Sequence, residues 1–207
     1  MVDKQKTIDK SVTVSGTGLH TGQLGQITMH SAPENHGIKF RRVDIESKPI
    51  IDADINLVVS TDRGTTLSKN GYSLYTIEHL LAAFMGLGVD NVMIDVDMEE
   101  IPIKDGSSIH FINAIKEAGI VEQKANRKYI EITEPISYII PDKNIEMLIE
   151  PAEKFSATVT IDFEAEILGK QIATLDDINK FESEIAPCRT FVFLHELEFL
   201  LKNNLIK

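Results

Sequence analysis

Residues 26–43, Q-I-T-M-H-S-A-P-E-N-H-G-I-K-F-R-R-V, decide the fold. They read as a short alternating strand, a turn holding Pro33, and a strand that returns. Residues 145–163, I-E-M-L-I-E-P-A-E-K-F-S-A-T-V-T-I-D-F, repeat that plan around Pro151. Two copies of one plan predict an α+β protein of two similar lobes, each a small β-sheet with helices packed on one face. The polar, aperiodic run E-Q-K-A-N-R-K, 122–128, reads as the linker, giving a first lobe over 1–122 and a second over 129–207. Fewer residues follow Pro151 than separate Pro33 from Gly119, and counterparts of the later strand and helix are missing. The second lobe is therefore expected to be incomplete.

Working outward, periodicity predicts a helix over 76–86, a strand over 91–96, and helices near 176–184 and 194–201. A further helix follows Asp105 and Gly106, with Ser107 or Ser108 as N-cap, and ends near Gly119. The glycines of G-T-G-L-H-T-G, 16–22, read as turn residues at positive φ; no helix follows, so this is no dinucleotide fingerprint.

Composition bounds the function. A net charge of −11 over 207 residues argues against a nucleic-acid partner, which needs a concentrated basic face. No run approaches the roughly 18 apolar residues of a membrane span, so no integral membrane segment is expected. The single cysteine, Cys188, has no disulfide partner within the chain, which fits a reducing cytoplasm. It reads as a small buried hydrophobe rather than a nucleophile.

One helix raises a chemical question. In Y-T-I-E-H-L-L-A-A-F, 75–84, the spacing of Ile77, Leu80, Leu81 and Phe84 defines a buried stripe, and Glu78 and His79 lie off it. Their neighbours one turn on, Ala82 and Ala83, make that face shallow enough for close approach. An acid in a first turn is favoured by the helix dipole, and a surface histidine needs no function. Read chemically, however, the pair divides as a zinc hydrolase requires: an imidazole to bind metal, and a carboxylate beside it to take a proton from water. A catalytic zinc needs three protein ligands, and the other five histidines show no helical spacing that completes the set.

Taken together, T-I-E-H-L-L-A-A-F-M-G-L-G-V-D-N, I-P-I-K-D-G-S-S, G-T-G-L-H-T-G and R-T-F resemble the signature stretches of the UDP-3-O-acyl-N-acetylglucosamine deacetylases. These are zinc amidases of lipid A biosynthesis in Gram-negative bacteria. The resemblance implies zinc as cofactor, a UDP-acylglucosamine as substrate, and a fold of two α/β lobes with the site between them. It implies Glu78 as general base, His79 as a zinc ligand, and Thr190 as the hydroxyl that steadies the oxyanion. It further implies substrate contacts at His20, at Arg63 in T-D-R-G-T-T-L, and at Phe191 in R-T-F.

Two departures qualify it. The family's H-K-x-x-D-like helix and S-G-H motif do not occur in this sequence, and I-D-F-E-A-E-I-L-G-K-Q matches only loosely. The expectation is a polypeptide that binds zinc weakly and is inactive alone, with a homodimer through the open sheet edge as one way to cover the unfinished lobe. The alternative from another class is a non-catalytic homologue or partner-binding module of the same fold. Metal content separates the two.

Overall fold

The computed structural model describes residues 3–163 and 166–202, the side chains of residues 195, 199 and 200 excepted. The architecture is α+β, as expected, with several small sheets and few helices. By contact it divides into two compact units, Met1–Asn126 with Phe181–Lys207, and Arg127–Lys180. Compactness and repeat ancestry are separate properties, so we propose the expected lobes, 1–122 and 129–207, only as repeats.

The first unit is built on a five-stranded sheet. Its strands are β2 (Val12–Thr17), β3 (Leu24–Ser31), β4 (Ile38–Arg42), β5 (Ile50–Asp52) and β9 (Val92–Val96), in the order β2-β3-β9-β4-β5. Only β4 and β9 run parallel. The strands flanking the Pro33 turn form as expected, but β9 lies between them, so they are not a hairpin. Alternation assigns the faces. Ile27, Met29, Phe40, Ile94 and Val96 are wholly buried. The opposite face carries His30, Asp95 and Arg41, with Arg41 gripping Asp95 through Nε at 2.6 Å and Nη2 at 2.8 Å.

Helices α1 (Glu78–Leu87) and α2 (Ile109–Ala118) pack together, and α2 also packs on β2. Glycine in the left-handed region stops α1: Gly88 has φ 65°, and its N–H reaches the Met85 carbonyl. On α1 the wholly buried residues are Leu80, Ala83 and Phe84, so Ala83, expected under the shallow face, belongs to the core. Ser108 occupies the N-cap position of α2 without a side-chain cap bond, while the Ser107 hydroxyl turns back to Asp105 at 2.6 Å.

A three-stranded sheet of β6 (Val58–Ser60), β7 (Thr66–Lys69) and β8 (Tyr72–Leu74) flanks the loop that carries Arg63. The expected linker is instead mostly a strand: β10 (Ile120–Asn126) pairs antiparallel with β1 (Lys4–Ile8). Its polarity is used inward, since Gln123 reaches the Ala32 carbonyl and the Asn91 amide. The expected helix at 176–184 is a 3-10 turn, Ile178–Lys180, followed by a π turn, Phe181–Ile185. Phe181 seats its ring over Gly86 of α1, where a Cβ would overlap it. Residues Leu194–Lys202 form α3, close to expectation. Cys188 is exposed rather than buried.

The second unit holds two hairpins. Strands β11 (Ile136–Ile140) and β12 (Ile145–Ile149) turn through Pro141–Lys143 and a left-handed Asn144 at φ 52°. Strands β13 (Ala157–Asp162) and β14 (Lys170–Leu175) form the other, with a Thr158–Thr174 hydroxyl pair across them. The strands on either side of Pro151 thus belong to different sheets.

Candidate active site

Glu78 is the first residue of α1 and His79 the second, so their side chains leave the helix before its ladder of hydrogen bonds is complete. Both are part-exposed, His79 at 18% and Glu78 at 37%. His79 Nε2 lies 3.9 Å from Glu78 Oε1, too long for a direct hydrogen bond and short enough to serve one small molecule together. The pair is therefore accessible and adjacent.

Glu78 is held from a second direction. The Thr65 N–H donates to its Oε2 at 2.9 Å, which ties the loop at 61–67 to the start of α1. Gly64 in that loop lies close to the pair. A Cβ there would stand 3.4 Å from Glu78 Oε1 and 3.8 Å from His20 Nε2. Two of the expected residues, Glu78 and His20, thus meet around Gly64, and His79 adjoins Glu78.

A cleft of about 510 Å³ opens beside them. Most of its surface is apolar, and hydroxyl and carboxylate groups of Thr21, Ser60, Thr66, Thr76 and Glu99 punctuate it, with His20 in the lining. An apolar surface with a few polar groups suits a ligand that combines both characters.

The remaining expected residues have other anchors. Arg63, at φ 57°, points its Nη2 to within 3.5 Å of Glu196 on α3. Thr190 donates its N–H to the Gly106 carbonyl at 2.9 Å, and Gly106 sits at φ 85°, where a side chain would be strained. That bond fixes R-T-F to the turn before α2. Asp105 in this turn is held below the usual carboxylate range, first by the Ser107 hydroxyl and against a smaller opposing effect of burial. Phe191 is exposed and meets Phe193 edge to face, 5.6 Å between centroids.

Sequence reasoning missed Glu100. This carboxylate is wholly buried and accepts from His20 N, Thr21 N, Thr21 Oγ1 and Thr76 Oγ1, at 2.8–3.0 Å for the closest contact of each. Burial is the largest influence on it and disfavours the charge, yet the His20 and Thr21 donors outweigh that and hold its pKa below 4.5. Its partners lie 80, 79 and 24 residues away, so no local spacing could reveal it.

A catalytic zinc takes three protein ligands. Of the expected site residues only His79 is an assigned ligand, and among the described residues no cluster of three or more His, Cys, Asp or Glu could hold a metal. The donors of these residues therefore do not complete a zinc site by themselves.

Comparison with known proteins shows the family. The family profile described as UDP-3-O-acyl N-acetylglycosamine deacetylase matches residues 5–207. A bifunctional enzyme LpxC/FabZ of Porphyromonas gingivalis is 43% identical over 206 residues, covering 100% of this chain and 45% of the relative. The UDP-3-O-acyl-N-acetylglucosamine deacetylases of Methylococcus capsulatus and Saccharophagus degradans are 41% and 42% identical, covering 98% and 99% of this chain and 67% and 68% of theirs. The chain thus spans less than half of the bifunctional relative and about two thirds of the others. It belongs to the UDP-3-O-acyl N-acetylglycosamine deacetylase family.

Proposed function

We propose that this chain carries the general base and one metal ligand of a zinc-dependent deacetylase of lipid A biosynthesis, acting in the cytoplasm. The substrate is a UDP-3-O-acyl-N-acetylglucosamine, and hydrolysis of its acetamide gives acetate and a free glucosamine nitrogen. The observation that carries this reading is the Glu78–His79 pair, 3.9 Å apart and open to the surface. Named relatives 41–42% identical over nearly the whole chain support it.

The roles follow from the groups available. Thr65 N fixes one oxygen of Glu78, which keeps the carboxylate from swinging away and leaves Oε1 to accept a proton from the attacking water. Thr190, anchored through its backbone to Gly106, offers a hydroxyl to the developing oxyanion. His20 and the polar groups of the cleft orient the sugar, and Arg63 and Phe191 are further substrate contacts. Zinc is the cofactor assigned, with His79 as one ligand. Because the described residues do not complete that site, a polypeptide of residues 1–207 is expected to hold zinc weakly and to be inactive.

Acetate release from the substrate tests this, measured on the product of the complete open reading frame before and after chelation. Loss on chelation and recovery with zinc are expected. Absence of both turnover and metal would favour a non-catalytic homologue instead. Elemental analysis of residues 1–207 alone checks the weak-zinc expectation, which stoichiometric metal would overturn.

A further inference from the structure

Glu100 shares neither the surface nor the chemistry of the pair, yet it touches both arms of the site. On one side, three of its bonds hold the loop at 18–23: His20 N–H, Thr21 N–H and the Thr21 hydroxyl. Gly18 makes room for this, because a Cβ there would run into Glu100 Oε2 and into Thr21 Oγ1. On the other side, the Thr76 hydroxyl donates to Glu100 Oε1 at 3.0 Å. Thr76 sits at φ 60°, a conformation that is costly for a β-branched residue and persists only where its surroundings impose it. Backbone bonds reinforce the grip, Tyr75 N to the Glu99 carbonyl and Ile101 N to the Tyr75 carbonyl. Two residues after Thr76 the chain delivers Glu78, and the next residue is His79. One carboxylate therefore ties the loop that presents His20 to the strained turn that launches α1.

We propose that Glu100 is a positioning residue of this site: it sets the direction of Glu78 and His79 relative to His20, and it touches no reacting atom. A glutamine of the same shape keeps one acceptor and adds an N–H₂ facing donors, so at least one of the four bonds is lost and the two arms uncouple. The proposal rests on the deacetylase reading for its kinetic consequence, but not for its structural one.

The test compares Glu100→Gln, Thr76→Val and Thr76→Ser in the product of the complete open reading frame. Folding is followed by thermal unfolding, and zinc content, kcat and KM are measured alongside. Thr76→Val removes one bond at nearly constant shape, so it decides the question if Glu100→Gln fails to fold; Thr76→Ser keeps the hydroxyl. The expected result is kcat/KM lowered roughly 10- to 100-fold in the first two, by displacement of the base. Zinc should be retained, and Thr76→Ser should stay close to the unsubstituted protein. Folded Glu100→Gln or Thr76→Val with unchanged kcat/KM would overturn the proposal, leaving Glu100 a purely structural residue. Backbone amide resonances of residues 1–207 supply a readout independent of turnover. Those of His20, Thr21, Glu78 and His79 should all shift in Glu100→Gln while Ile94 stays. Movement of His20 and Thr21 alone would overturn the coupling. An unsubstituted protein that releases no acetate would instead sink the deacetylase reading, and the resonances would still decide this one.

Discussion

Charge placement at single residues controls behaviour in acid. Glu100 has its pKa held below the ordinary 4.5 in the folded chain, so folding favours its carboxylate form. The stabilisation is present above about pH 4.5 and is lost as pH falls through the lower folded-state value. Asp95 follows the same sign: burial opposes its charge, and the Arg41 fork and His30 outweigh burial. Urea midpoints should stay level from neutral pH to about 5, then fall. Glu100→Gln should start lower and lose less below that point; parallel curves would mean that Glu100 is not held as described. At this scale the sequence revealed what helical period can reveal. Glu78 and His79 stood out as adjacent polar residues lying off the apolar stripe of an otherwise apolar helix. Glu100, written beside Glu99 and Ile101, looks like any solvated acid until the chain brings His20 and Thr76 to it.

Among the elements, α1 depends on what covers it. The Phe181 ring occupies the space that a side chain at Gly86 would need, and Phe181 is only 8% exposed. Gly86→Ala gains about 1 kcal/mol of helix propensity. It also forces a buried ring out of place, which costs about 1–3 kcal/mol. The clash should win when the ring has no free volume to enter, lowering the thermal midpoint; a higher midpoint would show that the ring is loosely seated. Elements with strong local signals were legible. The expected strand at 91–96 is β9 (Val92–Val96), and the expected helix at 76–86 is α1 (Glu78–Leu87). Strand β10 was not, because it is rich in polar side chains such as Gln123, whose partners Ala32 and Asn91 are distant in sequence, and periodicity reads such a run as loop. The expected helix at 176–184 is replaced by turns because its backbone bonds are not of the α type: Lys180 N reaches the Asp177 carbonyl and Ala186 N the Phe181 carbonyl.

For the whole molecule, the α+β class followed from short alternating strands and few helical runs. The strand order did not, since β9 enters between β3 and β4 from far along the chain. In the second unit Tyr138 and Met147 face each other across β11 and β12, and both are 60% exposed. Exposed apolar side chains on a two-stranded sheet with open edges invite pairing with another copy. We expect residues 1–207 to dimerise with rising concentration in sedimentation, and the double substitution Tyr138→Lys with Met147→Lys to abolish it. A monodisperse monomer of the unsubstituted chain would remove the dimer.

The most direct measurement compares the product of the complete open reading frame with its Glu78→Gln variant, each assayed for bound zinc and for acetate released from UDP-3-O-acyl-N-acetylglucosamine. If Glu78 is the base and His79 the ligand, the variant keeps its metal and loses about 10²- to 10⁴-fold in kcat. Full turnover by a metal-loaded variant would contradict the assignment.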